Sequence, residues 1–484
     1  MRQTFWVKKW KTIRRWLMRG LIALVVLVTA AWWIENWRGA RAWEKAKARA
    51  EAAGMSLNRN DYAGPEIPDE QNLLLNPVFA EEFYMEGDGI LRDWSRLPGL
   101  KEARVLRNPR PYAGKSFQYR DWFREEISEE EARERVAQAA RGFEERLSRL
   151  IPVILNSAKH ELFAEEDATG DLLDGPDWIG GIRRLSRCLD DSAGLAIREG
   201  DGDRALDRIR TLFHLSERCH GPTLLSVLIS NAVKQTGLTL IWEGLRKRVW
   251  NASQLERLVS EIPAPSYQDR LARGLSYEIS YGIAFLRRND LREHFDGIAD
   301  QLESLGLEEF VDRTGEFEFF LYYGGPQGWC DQRRAFLVNF HLDLIECSHS
   351  SDFEGMGRIA TTLSVSEWSP LHEVAAGLKR MARSPAHATW EPETVERICR
   401  IALAAEKEFA RSGNYPIALE ELVFDFPVTD LTDPKNRELA YELGPKGRPQ
   451  IWSQYQEELR EAKMNDPSAP GWEPSLRWQF WSEE

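Results

Sequence analysis

A mainly α fold is predicted for this chain: an N-terminal transmembrane helix, an irregular α-helical array of hairpins, and a small α+β C-terminal module with a β-hairpin. Three observations predict it. Residues 21–34, LIALVVLVTAAWWI, form an apolar run without a charge. Apolar residues then recur at i, i+3 and i+4 through most of the middle of the chain, the period of one helix face. Near the end the pattern changes to two short β-prone stretches around a Gly-Pro turn.

Residues 1–16 read as a basic cytoplasmic segment and residues 17–34 as the transmembrane helix. Including Leu17, Met18 and Gly20, the run is interrupted only by Arg19 and comes close to the ~20 residues a spanning helix needs. Arg19 sits near enough to its end to snorkel into the head groups. Arg2, Lys8, Lys9, Lys11, Arg14, Arg15 and Arg19 carry no acidic residue among them, so the positive-inside rule keeps the N-terminus cytoplasmic. Trp16 at one end of the run, and Trp32, Trp33 and Trp37 at the other, suit interfacial anchors. A cleaved signal peptide competes, because Val28-Thr29-Ala30 offers small residues to a peptidase. Trp32 and Trp33 follow at once, however, and an Ala-, Lys-, Arg- and Glu-rich helical pattern continues unbroken, so a retained anchor is favoured. The expectation is a single-pass protein of a bacterial inner membrane with the bulk of its chain periplasmic.

A chain of 484 residues has ample length to bury a core without a disulfide framework. Its five cysteines, Cys188, Cys219, Cys330, Cys347 and Cys399, include no C-x-x-C pair. Their spacing allows a Cys188–Cys219 or Cys330–Cys347 bridge in an oxidising compartment, with at least one thiol left over, and allows equally that they are reduced and buried as small hydrophobes. The formal net charge is −13, and seven cations without an anion in the first 20 residues leave −20 for the remainder. So acidic a body is a poor partner for nucleic acid or an anionic lipid surface.

Residues 35–77 read as a helical stalk, ended by Gly54, that holds the body away from the bilayer, and then a Pro-containing linker. Pro65 and Pro68 make the linker extended. Residues 78–384 are taken as an α-helical exported domain whose opening, to about Trp122, is irregular. Ser128 and Glu131 have capping-box spacing and start a helix to about Asn156. Residues 179–248 give a helix, a tight turn at Gly200-Asp201-Gly202-Asp203, and a second helix. On that helix Leu206, Ile209, Leu212 and Phe213 share one face, with Arg204, Asp207, Arg208 and Arg210 around the other. Pro222 opens a more apolar helix over 224–242, with Leu225, Leu228, Ile229 and Val233 inward. Asn251 or Ser253 caps the next, Ser253 and Glu256 having the box spacing. Pro263 and Pro265 break it, and residues 267–292 resume the pattern. Over 297–384 helical pieces, among them 331–347, alternate with breaks at Gly324-Gly325-Pro326 and Gly355-x-Gly357. No clean 34-residue period makes this a solenoid.

Residues 391–484 form the last module. A helix is expected from Pro392 to Arg411, a sharp turn at Gly413-Asn414-Tyr415-Pro416, and a short helix over 417–423. Strands follow at 439–443 and 450–453 around Gly444-Pro445-Lys446-Gly447, with a last strand at 476–481. Glu408-Phe409, Gly413-Asn414-Tyr415-Pro416, Thr432-Asp433-Pro434, Tyr441 and Ile451-Trp452-Ser453 together resemble the globular end of type II secretion major pseudopilins. In that family a helix enters a G-x-Y-P turn and a small sheet. The resemblance covers roughly 50 to 80 residues at this end of the chain. It departs from the family in the long insertion between apolar helix and module, and in the lack of an Asp- and Gly-rich calcium stretch after Ser453. It therefore implies the module's shape and neither filament assembly nor calcium. The whole layout, with Pro68-Asp69-Glu70-Gln71-Asn72 at the entry, resembles membrane-anchored helical proteins of planctomycete- and verrucomicrobia-type bacteria, which implies no particular activity.

The search for chemistry leaves the site empty: no catalytic, cofactor-binding or metal-ligating residue is assigned, and no cofactor. His160-Glu161 and His372-Glu373 lack the second histidine of H-E-x-x-H, with Ala164 and Ala376 in its place, so neither helix face offers zinc two imidazoles. Gly114-Lys115-Ser116 ends like a phosphate loop, but Pro109 and Pro111 stiffen the backbone that would have to cradle the phosphate. Asp201-Gly202-Asp203 lacks the rest of a calcium loop and reads as a helix cap. Cys219-His220 and Cys347-Ser348-His349 are adjacent in sequence, which does not aim an imidazole at a thiol. Glu165-Glu166 and Asp190-Asp191 read as solvated helix ends. Trp472, Trp478, Phe480 and Trp481 read as one face of a closing strand more than a docking surface.

These observations favour a non-catalytic interaction or scaffold component of the cell envelope, held to the membrane by one helix, with an envelope protein as partner and no nucleic acid. An envelope hydrolase using paired carboxylates, and an accessory of a secretion or pilus-like system, are the alternatives.

Overall fold

In the computed structural model the chain is mainly helical, with an apolar N-terminal helix and a small antiparallel sheet. It describes residues 2–62, 73, 76–78, 128–157, 177–263 apart from 220 and 222, 267–285, 326–350, 355–356, 358–359, 477–479 and most of 372–458. For 2–13, 15, 59–60, 177–180, 184, 284–285, 372–391, 477–479 and much of 129–146 the backbone alone is described. The motifs at 109–116, 160–166 and 472, and most of the linker, lie outside these residues. The chain divides into two compact units, residues 1–61, 276–346 and 358–381 in the first and 62–275, 347–357 and 382–484 in the second.

In the first unit, helix α1 runs without a break over Arg2–Ala52. It contains no proline, and Gly54, at φ +71°, closes it in the left-handed conformation that glycine adopts without steric cost. Its apolar stretch is long enough to span a membrane and none of it is buried. The residues beyond 34 do not form a free stalk. Trp43, Ala46 and Ala50 are buried, a narrow stripe that the charged composition conceals. Helix α1 meets α8, Gln327–His349, at both ends of this stretch. The side chain of Asn36 accepts a hydrogen bond from the Gly328 N–H at 2.8 Å, and Gln332 donates to Glu35 at 2.9 Å. Farther along, Arg49 pairs with Asp343 and donates to the Asn339 side chain at 3.2 Å. Because the paired positions rise together in both helices, α1 and α8 run parallel. Gly39 and Gly328 are where they come closest, and a Cβ on Gly39 would run into the Gly328 carbonyl oxygen.

The second unit is built from α2 (Glu129–Asn156), α3 (Asp177–Glu199), α4 (Gly202–Arg218), α5 (Leu224–Arg246) and α6 (Ala252–Glu261). The first residues of α7 (Tyr267–Phe285) and the greater part of α9 (His372–Ser412) complete its helices. Helix α4 packs on α2, α3, α5 and α6. Ser128 and Asp201 cap α2 and α4 as expected, their side chains accepting from the backbone N–H of Glu131 and Arg204, each at 3.1 Å. Leu206, Ile209, Leu212 and Phe213 are buried, again as their spacing requires.

Strands β1 (Ala440–Leu443) and β2 (Pro449–Trp452) form the hairpin, with Tyr441 opposite Ile451. A three-residue β3 (Arg477–Gln479) pairs antiparallel with β2 and sets Trp478 beside Ile451. Gly413, at φ +78°, ends α9, and Tyr415 folds back to stack on Phe409 at 4.3 Å. Leu439 and Ile451 belong to the same hydrophobic core as Leu147, Leu189, Leu212 and Ile398, so helices and hairpin share one interior.

Several expectations are corrected. Helix α9 starts at His372 and runs through Pro392, where a helix start was expected. The cap of α6 is the Asn251–Gln254 box, since Asn251 and Gln254 exchange backbone bonds, and the Ser253–Glu256 spacing is coincidental. Leu225 lies on the outer face of α5 at 44% exposure. Arg208, expected on the outer face of α4, is buried: it pairs with Glu144 of α2 at 2.6 Å and donates to Ser192 of α3 at 3.1 Å. A guanidinium can be buried where its donors are all matched. The expected short helix over 417–423 is a 3-10 turn at Leu419–Glu421.

Candidate functional site

Among the described residues of the second unit, two charge clusters carry perturbed buried groups. The larger is built on one face of α9, where Glu393, Glu396, Arg397 and Arg400 follow at i, i+3, i+4 and i+7. Across from them, Lys234 projects from α5, and its ammonium lies 2.6 Å from Glu396, with the two side chains 2% and 1% exposed. Lys234 also donates to the Pro263 carbonyl at 3.2 Å and sits 4.7 Å from the centre of the Tyr267 ring. The second Glu396 oxygen accepts from Arg400 at 2.9 Å, and Arg400 continues to the carbonyls of Ile262 and Pro263 at 3.1 and 3.0 Å. Arg397 joins Glu393, at 2.8 Å, to the backbone and hydroxyl of Thr429. Nearby, Arg270 of α7 pairs with Glu217 of α4.

Burial pushes the Lys234 ammonium below its ordinary pKa, against the opposing pull of Glu396. Burial, and then the Glu396 charge, raise the Tyr267 hydroxyl well above the usual range. Chemically the cluster is a network of paired charges. Lys234 is enclosed, and both Glu396 oxygens are engaged by cations. It joins α5, α9 and the turn after α6, which is a bracing role.

The smaller cluster is more open. Asp190 and Asp191 are half-buried in the middle of α3, not at a solvated helix end. Arg198, on the same helix, approaches Glu243 of α5 at 4.0 Å. Burial, with the neighbouring charges of Asp191 and Glu243, lifts the Asp190 carboxyl well above its ordinary range. Burial lifts Asp191 to about 7 although Arg198 and Arg187 pull the other way. Adjacent carboxylates of which one holds its proton near neutrality are the raw material of general acid–base chemistry, and structural clusters show the same perturbation.

Neither cluster was singled out by motif. Lys234 did leave a signal in the sequence, as the lone charge among residues 224–242. Glu396 left none, because Glu and Arg at helical spacing usually describe a solvated face. Asp201 is a helix cap. All five cysteines are free, with Cys188, Cys219 and Cys399 buried and Cys330 and Cys347 partly so. Among the described residues, no group of three or more His, Cys, Asp or Glu is placed to hold a metal ion.

The class these features define is a mainly helical protein with one N-terminal helix long and apolar enough to span a membrane. Helix α5 passes the same test of length and composition, but 67% of its window is buried, which makes it a core helix. Comparisons with protein-family models, with curated proteins and with solved structures return no match.

Proposed function

We propose that the chain is a single-pass protein of a bacterial inner membrane, N-terminus cytoplasmic and bulk periplasmic, that serves as a non-catalytic interaction or scaffold component of the envelope. The observation that carries this reading is the wholly unburied apolar window of α1, preceded by seven cations and followed by a helix docked on its own unit. An apolar helix of that length left uncovered needs a non-aqueous environment. The pairing of the enclosed Lys234 and Glu396 supports a structural use of the most deeply buried charges. Ile417 and Val423, 74% and 97% exposed, offer apolar contact points on the C-terminal module.

The test is crosslinking and affinity purification of the full membrane-inserted chain, beside an Ile417→Glu/Val423→Glu variant. Specific envelope proteins recovered with the wild type and lost from the variant are the expected result. A second reading, the envelope hydrolase, rests on Asp190 and Asp191. Breakdown of cell-wall glycan by the purified protein, abolished in Asp191→Asn, would overturn the scaffold reading in its favour. The third, a secretion-system accessory, rests on the Gly413 turn leading into the hairpin, and pilin-like proteins among the captured partners would select it.

A further inference from the structure

We propose that the first unit is seated directly on the membrane surface, with the start of α8 in the head-group layer and Trp329 in the same interfacial belt as Trp32, Trp33 and Trp37. The inference rests on α1 being the membrane anchor, and it goes beyond anchoring by saying which part of the distant chain touches lipid.

Geometry along α1 carries it. The apolar run ends at Ile34, and a helix rises ~1.5 Å per residue, so Asn36 stands ~3 Å beyond the hydrocarbon edge. The head-group region on each side of a bilayer is roughly 5–8 Å deep. The Gly328 N–H, bound to Asn36 at 2.8 Å, therefore falls inside that layer, 292 residues away in sequence. Gly328 lies against Glu35, Asn36 and Gly39, which brackets its height within one turn of α1, ~1.5–7.5 Å beyond the same edge. Burial would raise the Glu35 carboxyl, but the side chains of Gln332, Arg38 and Trp329 around it outweigh that and hold it below its usual pKa.

Side-chain chemistry changes along α1 at the matching depth. Trp33 and Trp37 are exposed, Arg38 is exposed beside Glu35, and Arg41 lies 5.4 Å from the Trp37 ring. Indole rings with cations just above them are the ordinary furniture of a lipid–water interface. Higher up the character reverses. Arg49 is 15 residues past Ile34, ~22 Å out by the same rise, and there α8 presents Asp343 and Glu346. An acidic upper rim suits water and opposes closer approach to anionic lipid. The partner is accordingly a zwitterionic phospholipid surface, met among the described residues by the start of α8.

Depth measurement tests it with the full chain in nanodiscs of zwitterionic lipid. Nitroxide labels are placed singly at Val25→Cys, Trp37→Cys, Gln327→Cys and Glu346→Cys in a Cys330→Ser/Cys347→Ser background, where the remaining cysteines are buried. Collisions with oxygen and with a water-soluble nickel chelate report depth. The expected result is a Gln327 label that matches the Trp37 label and is several-fold less accessible to nickel than the Glu346 label. A Val25 label in hydrocarbon together with a Gln327 label as nickel-accessible as Glu346 would overturn the seating while leaving the anchor intact. A Val25 label open to nickel would show instead that the anchor reading has failed, and the seating with it.

Discussion

The Lys234 ammonium meets the Glu396 carboxylate at 2.6 Å in a place where both side chains are almost wholly enclosed. Taking two charges out of water costs several kcal/mol each, and their attraction repays this only with good geometry and further hydrogen bonds. Pro263 and Arg400 supply those bonds. Removing one partner is therefore worse than removing both. Glu396→Leu or Lys234→Met alone should cost about 3–5 kcal/mol of stability, whereas the two together should lose much less than the sum. Denaturant unfolding of the four proteins in one detergent measures it, and simple additivity of the two single changes would contradict the pairing.

Asp191 makes the second unit prefer acid. Its carboxyl titrates at about 7 when folded against 3.8 in the ordinary case. Between those values the native state holds a proton the unfolded chain has lost, so this group's contribution falls as pH rises through the window. The limit is about 1.4 kcal/mol per pH unit for one group. Melting temperature should drop between pH 5 and pH 8 more in the wild type than in Asp191→Asn, which keeps the shape and loses the titration. Parallel profiles for the two proteins would rule the coupling out.

The first unit has the opposite sign. His341 is 1% exposed, its Nδ1 bonds the Leu337 carbonyl at 2.9 Å, and burial holds its pKa down at about 4. Unfolded, it takes a proton near 6.5, so its contribution is complete above that pH and is lost as pH falls toward 4. Amide exchange in residues 333–346 should accelerate between pH 6.5 and 4.5 after correction for intrinsic rates. Replacing His341 by Phe, a ring that already stands beside it at Phe340, should abolish that acceleration.

The contrast between these sites shows what was legible in the sequence. Caps and apolar faces mostly were, because each depends on residues within one turn: Ser128, Asp201 and the Leu206–Ile209–Phe213 stripe are where local pattern puts them. The Gly413 turn and the two strands around Gly444 were legible from equally local signals, whereas their register came only with the structure. What failed depends on partners distant in sequence. Arg208 looks like a surface cation until Glu144 is placed against it, and the polar side of residues 35–50 hides the Trp43–Ala46–Ala50 stripe until α8 is docked. The charged clusters failed most completely, since Glu396 and Asp191 differ from the other acidic residues of the chain only in what surrounds them.

Gly39 tests that long-range docking with an internal control. Its missing side chain lets the backbone of α8 approach at Gly328, and any Cβ there would meet backbone atoms, which have no rotamer by which to give way. Gly39→Leu must therefore push α8 off α1, at the 1–3 kcal/mol typical of overpacking or by loss of the contact. Gly20 sits in the same helix with nothing within 4 Å of its would-be Cβ, so Gly20→Leu makes the same chemical change without the collision. Hydrogen exchange of residues 327–346 should quicken in Gly39→Leu, most of all at the Gly328 amide that Asn36 holds, and stay at the wild-type rate in Gly20→Leu. Equal exchange in all three proteins would mean that α8 does not depend on the glycine crossing.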